Sequence, residues 1–586
     1  MRILVSRSIL VLAAAGAVAL ICTTAARTDA LTPGEQALHV LNRLGFGPRP
    51  GEVDRVMQIG VPAYVREQLY PERIPDGRLD TKLSGYSILS LSNAEMIARF
   101  ETPLREAKRK IKAARAAAND EDGEAAQADL KKIRGLIPPE SRPGRILEEL
   151  TAARILRAAE SESQLNEVMV DFWMNHFNVY AKKGEDRFAI VSFERDTIRP
   201  HIWGKFEDLL QATAKSPAML FYLDNARSVA DKEHRSASLA GRDGFGGGQS
   251  RRRMNADPEM AARIAQNAPR GLNENYAREL MELHTLGVDG GYTQKDVTEL
   301  ARVLTGWSIN RPRLRQQDAE GMTHAARRMG AGGMDGQGEP GAFVFRAAAH
   351  DNGTKTVLGR TFTASGMDEG ERAIAMLARE PATARHIAFQ LCQRLVADDP
   401  PKGLVERVAK RFLSTGGDLR DTVRVIVESP EFFDPQYYRA KIKSPFEYVV
   451  SAIRAVGGAT DGRAVSKQIA EMGEPLYLCQ PPTGYSDTSE AWVSSGALLA
   501  RLNFALSLAQ GRLPGTTADT NRLRAQSSGG APGRSVDAAA HSLIGTDVSA
   551  ETLQTITKQM ADGSNGAEPS ALVAGLILGS PEFQRQ

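Results

Sequence analysis

Residues 273–307 constrain the fold of this chain more tightly than any other stretch, because they encode two helices with well-marked ends. The first helix, predicted over 273–286, has an apolar face whose residues recur at three- and four-residue spacing: Tyr276, Leu280 and Leu283. Gly287 then ends this helix in the manner of a C′ glycine. After a short glycine turn, Thr293 and Asp296 form a capping-box-like pair that begins the second helix. The sequence therefore predicts two helices that meet at a defined angle.

The polar face of the first helix carries carboxylates at a spacing suited to catalysis. Glu279 and Glu282 are three residues apart and share a face with Asn275, so they can serve as acid and base on a glycosidic or ester bond. The same spacing fits a structural role, because Arg278 can neutralise both carboxylates in a buried network. In the catalytic interpretation Asn275 and Arg278 bind substrate, and in the structural one they hold the network.

A second polar pair lies in the segment FWMNHF, residues 172–177, where Asn175 and His176 are surrounded by aromatic residues. A histidine in such surroundings is a general base, a metal ligand or a hydrogen-bonding residue of the core, and the sequence leaves these roles open. Local spacing offers no self-contained metal motif: Glu282 and His284 are only two residues apart, so one helix face cannot present both to an ion. The sequence assigns no metal ligands, and it leaves the cofactor unknown.

Three further residues are predicted to bind substrate: Asp224, Trp307 and His350. Asp224 and His350 lie in loops, where functional groups concentrate, although both are also common turn residues. Trp307, together with Trp173 and Tyr292, can offer flat aromatic surface to a sugar. The sequence contains no nucleophile elbow, Walker A loop or dinucleotide-binding fingerprint, which excludes the familiar folds that those motifs mark.

The N-terminus predicts export. Arg2 and Arg7 precede an apolar run over 9–21, and small residues follow as far as Ala30, which is typical of a secretory signal peptide over 1–30. The apolar run is shorter than the roughly 20 residues that span a bilayer, so no transmembrane span is expected in the mature chain. We therefore expect a periplasmic or extracellular protein.

Charge and cysteine content give little direct information on partners. The leader carries three arginines and one aspartate, so its removal leaves about +1 of the formal net charge of +3. A chain this balanced does not suggest a nucleic-acid partner, which usually requires a concentrated basic face. Two cysteines remain, Cys392 and Cys479, and the sequence leaves open whether they form a disulfide or stay as two buried thiols.

Helical periodicity dominates the remaining sequence and predicts a mainly α fold with a large multi-helical core and one small β-hairpin. The hairpin is expected to pair 342–346 with 355–362, with Asn352–Gly353 in the turn between them. Residues 31–586 are expected to form a single helical domain. Composition predicts a charged helical hairpin inserted at 105–142 and flexible, disordered loops at 234–258, 312–341 and 515–535.

Several segments, taken in order along the chain, resemble those of one large bacterial family of exported proteins, the DUF1800 family. They are residues 273–307 and the segments LNRLGFGP (41–48), FWMNHF (172–177), SPAMLFYLDN (216–225), HDNGTKTVLG (350–359), PATARHIAFQLC (381–392) and SPEFF (429–433). The resemblance covers essentially the whole mature chain, but the family implies no established activity. Relatives often carry a histidine two positions before His176, where this chain has Met174, and this departure weakens a metal site that needs both imidazoles.

Two functions fit these observations. In the first, the exported chain hydrolyses or modifies a surface polymer, with His176, Glu279 and Glu282 as catalytic groups in one cleft. In the second, it is a non-catalytic scaffold or assembly factor. The resemblance implies a partner for this second role, because DUF1800 proteins are often encoded beside another exported family, DUF1501.

Overall fold

The computed structural model describes residues 29–118, 126–231, 271–310, 338–527, 532–561 and 568–586. Helices dominate the described residues, which confirms the mainly α fold class. Residues 1–28 of the predicted leader, the whole of the predicted loop 234–258 and residues 312–337 of the next predicted loop lie outside this description. Within the described part of the chain, no helix is both long enough and apolar enough to cross a membrane.

The chain divides into two compact units, each assembled from separated segments of the sequence. Unit 1 comprises Met1–Ser87, Glu148–Asn178 and Ile387–Gln586, and unit 2 comprises Ile88–Leu147 and Val179–His386. Helices Gly144–Glu160 and Pro381–Leu395 carry residues of both units. Sequence periodicity cannot reveal this division, because the helical pattern continues through three of the four segment boundaries.

Unit 1 is helical throughout most of its described length. Its other helices are Pro33–Arg43, Glu52–Ile59, Val61–Gln68, Gly77–Leu83, Gln164–His176, Lys402–Ser414, Leu419–Val427, Pro445–Ala455, Arg463–Glu471, Ser495–Ala509, Thr520–Ser527, Pro532–Ile544, Ala550–Ala561, Pro569–Leu578 and Pro581–Gln584. Two of these, Thr520–Ser527 and Pro532–Ile544, occupy most of the described part of 515–535, where composition predicted a loop. Despite the polar, glycine-rich composition of 515–535, Leu523 within this range and Val536 just beyond it are buried apolar residues.

Unit 2 combines shorter helices with strands. Its α-helices are Asn93–Met96, Thr102–Ala118, Ala126–Leu136, Asp186–Ser192, Phe206–Lys215, Pro217–Tyr222, Asn275–Glu282, Gln294–Val303 and Met367–Ala378, and Ile97–Glu101 and Phe193–Ile198 are π-helices. Within the predicted insertion 105–142, Arg115 on Thr102–Ala118 pairs with Asp129 on Ala126–Leu136 at 2.9 Å between Nε and Oδ2.

The described strands form two antiparallel pairs, and the predicted pairing was wrong. Phe343–Phe345 pairs with Trp307–Ile309, whereas Lys355–Val357 pairs with Arg360–Phe362. The tight turn falls at Leu358–Gly359, where φ is +49° and +74°, the positive values that a two-residue hairpin of type I′ requires. Asn352–Gly353 misled the prediction, because Gly353 instead donates its N–H to the carboxylate of Asp351.

Burial of a charged network holds unit 1 together. The guanidinium of Arg394 pairs with Glu447 at 2.8 Å, with Asp171 at 3.1 Å and with Asp487 at 3.2 Å. Burial alone would raise the pKa of Glu447, but Arg394 and the N–H of Ser444 hold it below its usual value. The network thereby joins helices Gln164–His176, Pro381–Leu395 and Pro445–Ala455 through the guanidinium of Arg394.

Cys392 and Cys479 are both free, buried thiols in the structure. Of the two alternatives that the sequence left open, a disulfide or two buried thiols, the structure has the second. Burial raises the pKa of Cys392 to about 12 and that of Cys479 to about 11. Neither thiol is therefore activated as a nucleophile near neutral pH.

Trp307 is tightly packed in the core of unit 2. Its ring is fully buried, lies edge-on to Phe343 with 5.3 Å between centroids, and rests against Gly370 of helix Met367–Ala378. A Cβ at position 370 would lie 2.4 Å from Cζ2 of Trp307, a distance that real Cβ contacts do not reach. Glycine is therefore required there by the approach of the tryptophan ring.

We expect Gly370→Ala to lower the free energy of unfolding by about 1–3 kcal/mol, because the added methyl overpacks the core. Gly403→Ala is the matched control, because Gly403 is also helical but has nothing within 4 Å of an added Cβ. That change should raise the free energy of unfolding by up to about 1 kcal/mol through helix propensity. Equal denaturation midpoints for the two variants, measured by circular dichroism, would contradict this role for Gly370.

Candidate functional site

The signature helix, Asn275–Glu282, is shorter than its sequence pattern suggested. The predicted helix ran to residue 286, but beyond Glu282 the hydrogen bonding widens, with the N–H of His284 bonded to the carbonyl of Glu279 at 3.0 Å. Tyr276 and Leu280 are buried as predicted. The capping box of Thr293 and Asp296 is present and begins the next helix, Gln294–Val303, which confirms that prediction.

Glu279 and Glu282 lie on the partly exposed side of the signature helix, in different surroundings. Burial, followed by the nearby charge of Glu282, raises the pKa of the Glu279 carboxyl. The hydroxyl of Tyr292 donates to Oε2 of Glu282 at 3.3 Å. Within the described part of the chain neither carboxylate forms an ion pair, and the two differ because burial raises the pKa of Glu279 whereas Glu282 accepts a hydrogen bond.

Arg278 forms no ion pair with Glu279 or Glu282 among the described residues, although its charge opposes the rise in the pKa of Glu279. Its guanidinium bonds Oε1 of Gln294 at 2.9 Å and Oε2 of Glu274 at 3.5 Å. Glu274 also accepts hydrogen bonds from Gln294 at 2.7 Å and from the hydroxyl of Thr298 at 2.6 Å. The network that connects the two helices of residues 273–307 is therefore built on Glu274, which leaves Glu279 and Glu282 outside it.

His350 lies in a fully buried network of charged side chains. Its Nδ1 donates to the carbonyl of Thr305 at 2.8 Å, and its Nε2 contacts Oε1 of Glu369. The ammonium of Lys355 donates to the same Oε1 at 2.7 Å. Nearby, Asp351 forms a two-pronged ion pair with Arg302, at 2.9 and 3.1 Å. His350 and its neighbours therefore hold strand Lys355–Val357 against the adjoining helices.

Asp224 and Asn275 occupy more accessible positions in unit 2. Asp224 adopts a left-handed backbone, φ +62°, directly after helix Pro217–Tyr222, and its carboxylate accepts a hydrogen bond from the ammonium of Lys183 at 2.9 Å. Asn275 is exposed, and its amide donates to the carbonyl of Leu223 at 3.4 Å. The loop after Leu223 thus meets the start of the signature helix within unit 2.

The FWMNHF segment, in unit 1, lies at the end of helix Gln164–His176. His176 is mostly buried, and its Nδ1 donates to Oε1 of Gln390 at 2.8 Å, which in the neutral tautomer places the lone pair on Nε2. The amide of Asn175 both donates to the carbonyl of Tyr485, at 2.8 Å, and accepts from its N–H, at 2.7 Å. This two-way contact uses the Asn175 amide to fix the loop that contains Tyr485.

The aromatic residues expected to form a sugar platform differ in exposure. Trp173 and Trp307 are fully buried, so neither offers a ring to solvent in this structure. Tyr292 is partly exposed beside Glu282. Trp307 therefore has a packing role here, and substrate binding by Trp307, as by the other residues selected from the sequence, stays a prediction.

Comparison with known proteins identifies the family. The profile described as "Protein of unknown function (DUF1800)" matches residues 39–585. This chain belongs to the DUF1800 family. Searches of curated proteins and of solved structures returned no match. Roles for individual residues in this DUF1800 protein therefore depend on the geometry described above.

Several polar residues with defined roles were not selected from the sequence. Gln390 fixes the ring of His176, and Asn178 donates to the carbonyls of Cys479 and Pro481 at 3.1 and 2.7 Å. Both lie in or directly beside family motifs, which is the signal that would have found them. Asp186 carried no such signal, because only the fold reveals that its carboxylate is buried.

We expect Lys355→Met to lower the free energy of unfolding of this DUF1800 protein by about 3–5 kcal/mol, because it leaves Glu369 buried without its cation. Arg372→Met on the same helix as Glu369 is the control, since Arg372 pairs with Asp368 at the surface and should contribute at most about 1 kcal/mol. The denaturant midpoint measures both effects. If Lys355→Met costs no more than the control, the buried network is not a structural element and His350 is better explained by binding.

Proposed function

We propose that this DUF1800 protein is exported and acts as a hydrolase on a polymer of the cell envelope, with Glu279 as general acid and Glu282 as general base. The observation that carries the proposal is the contrast between two carboxylates on one helix face. Glu279 has a raised pKa through burial and through Glu282, whereas Glu282 accepts a hydrogen bond from Tyr292. Two carboxyl groups in different environments, one acting as acid and the other as base, are the usual requirement for glycosidic hydrolysis.

The roles follow from the two environments. Glu279 donates its proton to the leaving oxygen as the bond from carbon to that oxygen breaks. Glu282 takes a proton from water as the water oxygen bonds to the same carbon, so the products are an alcohol and a hydroxyl-bearing fragment. Exchange with solvent then returns the proton to Glu279 and removes it from Glu282. Tyr292, partly exposed beside Glu282, is placed to contact the substrate.

Two parts of the proposal rest on the sequence. Export to the periplasm or beyond rests on the predicted signal peptide at 1–30, and an envelope polymer is the substrate class that such a location offers. His176 stays a predicted acid or base, supported by the Gln390 contact that leaves its lone pair on Nε2. The carboxylate chemistry can be tested without it.

We expect Glu279→Gln to reduce hydrolysis of purified envelope polysaccharide by about 10²–10⁴-fold, because the amide cannot donate the proton. The loss should be much smaller on p-nitrophenyl glycosides and esters, whose leaving group needs no protonation. Glu282→Gln should reduce both reactions. In the wild type, activity on the polymer should fall as pH rises through the raised pKa of Glu279, since the general acid is then ionised.

The control is Asp289→Asn, which removes one negative charge from the exposed glycine turn of the same segment and should leave both rates unchanged. Retention of polymer hydrolysis in Glu279→Gln with unchanged folding would contradict the proposed acid. A wild-type protein that hydrolyses neither substrate, but still captures a DUF1501-like protein after the Glu279→Gln and His176→Ala changes, would favour the scaffold.

A further inference from the structure

A small cleft lies within unit 2 and is separate in its residues from Glu279 and Glu282. Its apolar wall includes Ile97, Phe188, Phe221 and Ile309. Its charged lining consists of Glu101, Arg105, Glu185 and Asp186. The cleft therefore combines a mostly apolar body with a concentrated group of acidic side chains, a composition suited to a ligand with an apolar part and a polar end.

Asp186 is the unusual member of this lining. It is fully buried, at 0% exposure, and within the described residues neither of its carboxylate oxygens has a hydrogen-bond partner. A buried carboxylate normally has a charge partner or several donors, because its desolvation is otherwise uncompensated. An unpartnered carboxylate that lines a cleft points to a partner from outside the chain.

The cations near Asp186 are engaged elsewhere. Arg105 pairs with Glu101 on its own helix and with Glu185 at 3.2 Å. Lys183 donates to Asp224 at 2.9 Å and to the carbonyl of Tyr222. The cleft itself has three carboxyl groups and one guanidinium, so it attracts positive charge.

The electrostatics of Asp186 agree with this geometry. Burial raises the pKa of Asp186 to about 9, with Glu185 and Asp224 contributing to the rise and Lys183 opposing it. The free protein therefore keeps a proton on Asp186 at neutral pH, which avoids an isolated buried charge. A bound cation would remove the need for that proton.

The backbone beside the cleft is irregular. Residues Ile97–Glu101 form a π-helix between two α-helical segments, and both end residues line the cleft. Such interruptions occur frequently at functional sites, because they alter the register of side chains along a helix. A Cβ added at Gly341, where φ is +79°, would lie only 2.9 Å from Cδ1 of Ile97, so this wall has no room for a larger residue.

We propose that this cleft binds an organic cation, an alkylguanidinium or alkylammonium group that pairs with Asp186 while its apolar chain packs against Ile97, Phe188 and Phe221. An anion would meet the other carboxyl groups of the lining, Glu101 and Glu185, and a neutral ligand could not form an ion pair with Asp186. A metal ion fits less well, because among the described residues no group of three or more His, Cys, Asp or Glu side chains is arranged to hold one. The site goes beyond the proposed hydrolase function, since it uses neither Glu279 nor Glu282.

Binding should release a proton. Asp186 is neutral in the free protein and ionised beside the bound cation, so affinity should increase about tenfold for each unit by which the pH is raised, up to about pH 9. Hexylguanidinium is a suitable probe, because its guanidinium stays charged throughout this range. Calorimetric titration in two buffers of different ionisation enthalpy should report the release of about one proton per ligand bound near neutral pH.

We expect Asp186→Asn to fold normally, since it replaces a neutral carboxyl with a neutral amide of the same shape, and to bind hexylguanidinium at least about tenfold more weakly with no pH dependence. Asp289→Asn makes the same chemical replacement at an exposed position outside the cleft, so it is the control and should bind as the wild type does. Hexylurea, the uncharged analogue, should bind at least about tenfold more weakly than hexylguanidinium to the wild type.

Three results would overturn the proposal: no binding of hexylguanidinium to the wild type, equal affinity for hexylurea, or full affinity in Asp186→Asn. Glu279→Gln and Glu282→Gln should bind the probe as the wild type does. Failure of the hydrolase proposal would therefore leave this one standing, and the reverse also holds.

Discussion

The compensation of buried charge is the constraint on which the rest of this structure depends. In unit 1, Arg394 gathers Asp171, Glu447 and Asp487 from separate parts of the chain, and these four groups place the helix that carries His176. Removing one of these four groups would leave the others buried without their charge partner, which would lower the free energy of unfolding by several kcal/mol. The positions of the FWMNHF residues are therefore fixed by an ion network rather than by apolar contact alone.

Buried charges in unit 2 are also paired, so the carboxyl groups without a paired cation stand out. Oε1 of Glu369 contacts both His350 and Lys355 in a buried group, and Arg302 pairs with Asp351. Residues that a sequence pattern presents as candidates for binding thus have structural partners. Glu279 and Asp186 differ from them, because each has a raised pKa and, among the described residues, no paired cation. Carboxyl groups with a raised pKa and no paired cation are therefore the better candidates for a functional role.

Local sequence rules predicted the local features of the fold. The Thr293–Asp296 capping box, the burial of Tyr276 and Leu280, and the shared face of Glu279 and Glu282 all follow from spacing within one helix. Partners distant in sequence were missed: strand Phe343–Phe345 pairs with Trp307–Ile309, and Arg278 bonds Gln294 on the next helix. The spacing of residues along a helix determines which of them share a face, but tertiary packing determines which distant residues that face contacts.

The burial of Asp186 could not be predicted from the sequence, but in the fold it makes stability depend on pH. Its pKa is about 9 in the folded chain, against 3.8 for an ordinary aspartate, so the folded state holds a proton that the unfolded state loses above about pH 4. Since the unfolded state then binds fewer protons, this group makes stability fall as pH rises from about 4 to about 9, and the loss levels off above that. A cation bound only by the folded state opposes the fall, because it stabilises ionised Asp186 and shifts the folding equilibrium by mass action. Occupancy of the cleft and stability of unit 2 are therefore linked through one proton, and the linkage is strongest at alkaline pH.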